Sequence, residues 1–245
     1  MTLKSTLAQR ATDRHAVPQQ PITRFDTSAA PLIRLKNARV IAVQDQQTLL
    51  EIDELALFPG ERIVITGPSG SGKSLLLATL TGRWAAGLAF TGSRTANFNR
   101  IGFIPQRGLD ALHPLLPLGR QLHKVTGKSA DQVHEALTAV GLSDPALSQR
   151  RPAELSGGQA QRAAVALAVL SEAPLILADE PTSALDHDSR DQTLALLDRV
   201  ITARQTLVVV THDPAVANAL ATRRLALESG KISKLAEPAM ERARI

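Results

Sequence analysis

Gly67, Pro68, Ser69, Gly70, Ser71, Gly72, Lys73 and Ser74 place three glycines, a lysine and a hydroxyl in the spacing G-x-x-x-x-G-K-[ST]. Glycines at 67, 70 and 72 let the backbone curl until successive amide N–H groups face one point, an arrangement suited to phosphate oxygens. A helix opening at Lys73 would add its positive dipole end. Lys73 can then reach the β- and γ-phosphate oxygens of a nucleoside triphosphate, and Ser74 can ligate Mg²⁺. The apolar run Arg62–Thr66 before this loop and the helical run Lys73–Leu80 after it are the flanks that the chemistry needs. A surface Gly/Ser turn with a stray lysine would have neither.

Leu175–Asp179 is a second apolar run, ending in the carboxylate pair Asp179 and Glu180. A strand of a parallel sheet delivers its last residues to the edge where ligands bind in α/β folds. Asp179 suits the shell of a Mg²⁺ ion, and Glu180 suits polarising or deprotonating an attacking water. An isolated Asp-Glu pair after a strand also fits a helix cap. Joined to the phosphate loop, it indicates a P-loop NTPase. Ser156, Gly157, Gly158 and Gln159 open a further helix and offer another amide-rich anion site, although SGG alone would also serve as a helix N-cap.

Elements able to hold these groups can be read along the chain. Leu32–Lys36, Arg39–Val43 and Leu49–Leu57 are strand-like, and Pro59-Gly60 is a turn. Residues 107–154 are Leu-rich, broken by Pro114, Pro117, Gly127 and Pro145, with a helical stretch near 130–140. They read as a mostly helical insertion, bounded at about 107–158. Helices near 159–171, 187–203 and 214–221 alternate with strands at 174–179 and 206–210, and residues 224–235 read as a closing hairpin. The fold class expected is α/β: a P-loop NTPase with a parallel core sheet, an N-terminal antiparallel β subdomain and a mostly helical insertion. Residues 1–30, with Pro18 and Pro21, scattered Arg and no periodicity, read as a disordered leader before one domain over 31–245.

Composition narrows the function classes. The 245 residues suffice for one large domain. Aromatics make up 2%, with no Tyr, so the core must be built from aliphatic side chains. The absence of Cys rules out a disulfide framework, a thiolate metal site and a Cys nucleophile. A net charge of +5 spread along the chain gives no basic stripe, so nucleic acid is not an expected partner. No apolar stretch approaches the ~20 residues of a membrane helix. The expectation is a soluble chain whose membrane part, if it has one, comes from other subunits. His15, His113, His123, His134 and His187 have no metal-cluster spacing.

Leu155-Ser-Gly-Gly-Gln159, followed by Ala160-Gln161-Arg162, closely resembles the signature sequence of ATP-binding-cassette (ABC) proteins. The resemblance extends over about residues 32–235. It implies that Ser156–Gln159 cover ATP held by the opposite subunit of a head-to-tail dimer. Gln106, after Ile101-Gly-Phe-Ile-Pro105, is similar to the glutamine that senses Mg²⁺ and attacking water. Ser183-Ala-Leu-Asp186 resembles the loop that crosses the dimer interface and brings Asp186 to nucleotide. His212 resembles the switch histidine at the γ-phosphate; in isolation it would read as a strand-end packing residue. ATP and Mg²⁺ are the implied ligands, with Ser74, Gln106 and Asp179 around the metal.

Two positions depart from the family. Where relatives carry an aromatic to stack on adenine, counting back from the loop gives Ala42, so base recognition should be weaker and less selective. Arg39 is the other group that could stack. Leu167 stands where many relatives have Arg. For the coupled work, Asp110-Ala-Leu-His-Pro114, Leu118-Gly-Arg-Gln-Leu122 and Arg151-Pro-Ala-Glu-Leu155 are similar to segments of dipeptide, oligopeptide and nickel uptake ATPases. The resemblance implies the energy-coupling subunit of a bacterial importer at the cytoplasmic face of the cell membrane. Its partners would be integral membrane permease subunits, a second ATPase subunit and, indirectly, a solute-binding protein. A soluble assembly ATPase of the same fold is the alternative. Leu109, Leu112, Leu115, Leu116 and Leu118 would line a groove for the membrane partner or form the core of the insertion.

Overall fold

The computed structural model describes residues 29–183 and 187–234. Numbered along the chain, the nine strands of the described residues form one sheet in the order β4-β1-β2-β9-β8-β3-β7-β6-β5, with the ranges that follow. Strands β1 (Ile33–Ala42), β2 (Thr48–Leu57) and β4 (Leu88–Ala96) pair antiparallel. Strands β3 (Arg62–Thr66), β5 (Ile101–Ile104), β6 (Leu175–Asp179), β7 (Thr206–Thr211) and β8 (Arg223–Glu228) run parallel, and β9 (Lys231–Lys234) returns antiparallel on β8. One parallel pair, Glu51 with Lys231, joins the two halves. The expected parallel core, antiparallel β region and closing hairpin are thus present. The two N-terminal strand-like runs merge into a single strand, β1.

The parallel strands read as continuous Val, Ile and Leu because both of their faces are buried. Ile63, Ile65, Leu175, Leu177, Val208 and Val210 face one core, shared with β1, β2 and helix α1 (Lys73–Thr81). Val64, Ile176, Ala178, Leu207 and Val209 face the other. That second core takes in helices α2 (Leu118–Thr126), α3 (Ala130–Ala139), α4 (Gly157–Leu170), α5 (His187–Val200) and α6 (Pro214–Leu220). Between β5 and α4 lie α2, α3 and three short 3₁₀ turns, the helical content expected of that stretch. Leu112 and Leu118 are buried in it, whereas Leu109 and Leu115 are exposed, so the Leu-rich run is divided between core and surface.

Strand β4 has no counterpart in the sequence reading. Its residues Leu-Ala-Phe-Thr-Gly-Ser-Arg-Thr-Ala are at most half-buried, which leaves little apolar alternation to read. It is held instead by its ladder to β1 and by Phe90 stacked on Trp84, with ring centroids 4.6 Å apart. Leu167, partly buried, packs against the second core.

One polar contact ties the antiparallel half to the parallel core. Glu61 is fully buried; its Oε2 accepts from the Phe58 N–H at 2.7 Å, and its Oε1 lies 3.0 Å from Nη1 of Arg223. Arg223 Nη2 in turn donates to the Ala56 carbonyl at 2.8 Å. Burial pushes the Glu61 carboxyl above the usual carboxylate range, and the adjacent Arg223 opposes that shift. Arg223→Met removes the countercharge and should destabilise the fold by about 3–5 kcal/mol. Adding Glu61→Leu should recover most of that loss. Urea unfolding of both variants checks this, and additive losses in the double variant would refute the coupling.

Candidate functional site

Residues 67–72 leave the end of β3 and enter α1, as the strand, loop and helix pattern requires. Gly70 and Gly72 have φ of 79° and 102°, in the left-handed region that a side chain disfavours. Lys73 is 8% exposed, and its ammonium is enclosed by three acceptors. Nζ donates to the carbonyls of Gly67 at 2.9 Å and Pro68 at 3.0 Å, and lies 3.3 Å from Oε1 of Glu180. A buried ammonium needs such partners to offset lost hydration.

Strand β6 delivers Asp179 and Glu180 beside that lysine. The Ser74 hydroxyl donates to Asp179 Oδ2 at 3.2 Å. A hydroxyl and a carboxylate in contact form the hard oxygen donor set that Mg²⁺ prefers, so these residues fit the ion. Burial, first of all, raises the Asp179 carboxyl above its ordinary range, and the neighbouring Glu180 charge adds to this, against the Ser74 hydrogen bond and Lys73. Glu180 has φ of 46°, a strained conformation for a residue with a side chain. Its Oε2 accepts from the Thr211 hydroxyl at 3.2 Å and the His212 N–H at 3.2 Å, with His212 Nδ1 at 2.8 Å.

Gln106, just beyond β5, donates from Nε2 to the Ser183 hydroxyl at 3.0 Å, and that hydroxyl donates to the Glu180 carbonyl at 3.1 Å. A cleft of about 680 Å³ is lined by Pro68, Ser69, Gly70, Gly72, Lys73, Ser74, Leu75, Gln106, Asp179, Glu180 and His212. Residues from four separate stretches of sequence thus meet in one place. Ser156–Gln159 are not among its lining residues. Ser156 and Gln159 form a reciprocal capping box at the start of α4, with hydrogen bonds of 3.2 and 2.9 Å. Beside Gly157 and Gly158 the space is open. Asp186 lies outside the described residues, and these contain no cluster of three or more His, Cys, Asp or Glu able to hold a metal.

Around Ala42 and Arg39 the polar contacts run between β1 and its neighbours. Arg39 donates to Glu51 across the β1–β2 ladder at 2.9 Å, and Lys231 adds a second ion pair to Glu51 at 3.1 Å. These two cations hold the Glu51 carboxyl below its usual range, Lys231 contributing most. Arg39 is thus engaged with a carboxylate while its side chain stays 55% exposed. Ala42 ends β1, its N–H bonded to the Gln47 carbonyl at 2.9 Å. Sequence reasoning missed the contacts behind the phosphate loop, made by Leu49, Leu227 and Gly230. The Ser229-Gly230 pair after β8 was a signal for them, but it read simply as a hairpin turn.

Comparison with known proteins gives the same picture. Residues 50–183 match the family of ABC transporters. The chain is 34% identical over 223 residues to the macrolide export ATP-binding/permease protein MacB of Hahella chejuensis, a match covering 82% of this chain and 34% of that protein. It is likewise 34% identical over 225 residues to the lipoprotein-releasing system ATP-binding protein LolD 1 of Chlorobium chlorochromatii, covering 82% of this chain and 89% of the relative. The chain therefore spans about a third of the macrolide export proteins and most of the lipoprotein-releasing one. Among solved structures, the ATP-binding cassette MJ0796, a dimer bound to ADP and Pi, superimposes with a TM-score of 0.65 at 29% identity, covering 84% of this chain and 100% of that one. A chain of a transporter described as of metal-chelate type, in an inward-facing conformation, gives 0.66 at 27% identity, with 83% and 82% covered. With the family match spanning more than half of the sequence and the fold shared with a nucleotide-bound cassette, the chain belongs to the ABC transporter family, as an ATP-binding, ATP-hydrolysing cassette.

Proposed function

We propose that this chain is the subunit that hydrolyses ATP to drive solute movement by membrane-embedded permease subunits, working as a dimer of cassettes. The observation that carries the reading is the convergence of Lys73, Ser74, Asp179, Glu180, Gln106 and His212 on one cleft. Lys73 and the amides of 67–74 bind the triphosphate, with α1 adding its dipole. Ser74, Asp179 and Gln106 would hold Mg²⁺, which would supply positive charge beside the phosphate oxygens. Glu180 takes the proton of the attacking water. His212, 2.8 Å from that carboxylate, orients it and faces the terminal phosphate. Ser156–Gln159 cover the nucleotide of the opposite subunit, in keeping with the open space beside Gly157 and Gly158 and their position outside the chain's own cleft. Asp186 would approach the same interface.

The type of transport follows the relatives more than the short matches in the insertion. MacB is named for macrolide export and LolD for lipoprotein release. We therefore favour a machine of that kind over the importer of peptides, nickel or metal chelates to which residues 110–114, 118–122 and 151–155 pointed. The metal-chelate type transporter among the structural neighbours keeps metal chelates as a second reading of the cargo; in an importer of that kind a solute-binding protein would be an indirect partner. No helix among the described residues is long and apolar enough to cross a membrane, so attachment at the cytoplasmic face would be through other subunits or segments. Co-purification with an integral membrane protein supports the transport reading. A stable complex with soluble proteins alone would favour the assembly ATPase.

Glu180→Gln should retain ATP binding, lower turnover by about 10²–10⁴-fold and accumulate a nucleotide-bound dimer on size-exclusion chromatography. Wild-type turnover in that variant would remove Glu180 from its role. Lys73→Ala should lose ATP binding in the same assay.

The base contact is tested separately. Ala42→Tyr should tighten ATP binding roughly fivefold, the worth of about 1 kcal/mol of stacking, and increase the preference for ATP over GTP. Unchanged affinity for both nucleotides would show that the base is held elsewhere.

A further inference from the structure

The phosphate loop is pressed from behind by two segments distant in sequence. A Cβ placed on Gly67 would lie 2.2 Å from the Leu227 carbonyl oxygen of β8. A Cβ placed on Gly230, in the β8–β9 turn, would lie 2.4 Å from the Leu49 carbonyl oxygen of β2. No side chain fits at either point without moving backbone. Gly72 completes the stack, its missing Cβ 3.6 Å from the same Leu49 oxygen and 3.7 Å from the Gly230 Cα.

Hydrogen bonds run through the same residue. The Gly230 N–H donates to the Ser71 carbonyl of the loop at 3.0 Å, and the Glu51 N–H of β2 donates to the Gly230 carbonyl at 2.8 Å. Ser71 is 4% exposed, so its carbonyl has little access to water as an alternative partner. Ser229 and Gly230 turn with φ of 47° and 77°, which directs the Gly230 peptide into the gap between loop and strand. At the next residue, Lys231 pairs with Glu51 in the single parallel contact that closes the sheet between β2 and β9.

We infer that Gly230 is a positioning residue for the nucleotide's phosphates: its peptide sets the curvature of residues 67–72 by linking the Ser71 carbonyl to β2, and only glycine leaves room for that link. An anion site made of backbone N–H groups has no side chains to readjust, so its affinity depends on where the backbone is held. The inference rests on the reading of residues 67–74 as the triphosphate site.

The test measures binding of Mg·pyrophosphate and Mg·ATP by titration calorimetry, at a temperature well below the melting point of every variant. Gly230→Ala and Gly230→Asn should both bind about ten- to a hundredfold more weakly, the scale of loss when a preorganised site moves by roughly 1 Å. Both should raise KM for ATP more than they lower kcat. Asn tolerates a positive φ, so native affinity in Gly230→Asn with weak binding in Gly230→Ala would trace the effect to backbone conformation alone and overturn the close-approach argument. Gly127→Ala, at a φ of 70° with open space around it, carries a comparable conformational penalty and should keep native affinity. Native affinity in both Gly230 variants, with only a lower melting point, would reduce the turn to a structural role and sink the inference.

In the unmodified protein, hydrogen exchange at Gly230 should slow together with residues 67–74 when Mg·pyrophosphate is added. Protection confined to 67–74 would contradict the link even if the variants failed to fold. Failure of the native protein to bind either ligand would instead strike the triphosphate reading itself.

Discussion

The site is organised around one buried positive charge. The Lys73 ammonium is 8% exposed and sits among the Gly67 and Pro68 carbonyls and the Glu180 carboxylate. An ammonium so enclosed is tolerable only while those acceptors are in place, because desolvation without partners would be several kcal/mol unfavourable. The two carbonyls fix the loop's own curl. The carboxylate belongs to a different strand, over 100 positions later in sequence, so the same charge also sets the spacing between the phosphate loop and the end of β6.

The sheet makes this spacing reproducible. Strands β3, β7 and β6 are adjacent and buried on both faces, with Arg62–Thr66 paired to Leu207–Thr211 and Leu175–Asp179 paired to Thr206–Val210. Their C-terminal ends deliver the loop, His212 and the carboxylate pair at one edge. Ridges of Val, Ile and Leu on either face resist sliding, since a shift of one residue would turn each side chain toward the opposite core. The polar chemistry at the edge thus inherits its precision from apolar packing below it. Glu61 and Arg223 extend the same control to the antiparallel half, which carries Leu49 behind the loop.

Much of this was legible in the sequence, because the strands and the loop advertise themselves locally. Arg62–Thr66, Leu175–Asp179 and the end of 206–210 are short apolar runs that stop at Gly67, Glu180 and His212, and a parallel sheet leaves their ends few other places to go. Strand β4 was illegible because its stability comes from pairing with β1 and from Trp84 on Phe90, not from its own pattern. Arg39 could be named as a cation but not as the partner of Glu51, since cross-strand neighbours depend on register. Leu49, Leu227 and Gly230 were invisible for a deeper reason: their contribution is made by backbone atoms, and side-chain identity says little about where a carbonyl will point. Only the small size of Gly230 left a trace.

The arrangement of Glu180 also bears on how the cycle begins. In this structure its Oε1 faces Lys73 and its Oε2 accepts from Thr211 and the His212 N–H, with the imidazole alongside. Oε2, with Thr211 and His212 around it, has little capacity left to accept a proton, so what capacity remains lies with Oε1 beside Lys73. Arrival of a polyphosphate changes that balance at one point, because its oxygens compete with Glu180 for Lys73. Losing that partner frees Oε1 while Oε2 keeps its hold on Thr211 and His212. If Glu180 is the base, as proposed above, it would then be uncovered by the substrate's own charge, and the left-handed backbone there would keep it aimed at the cleft throughout.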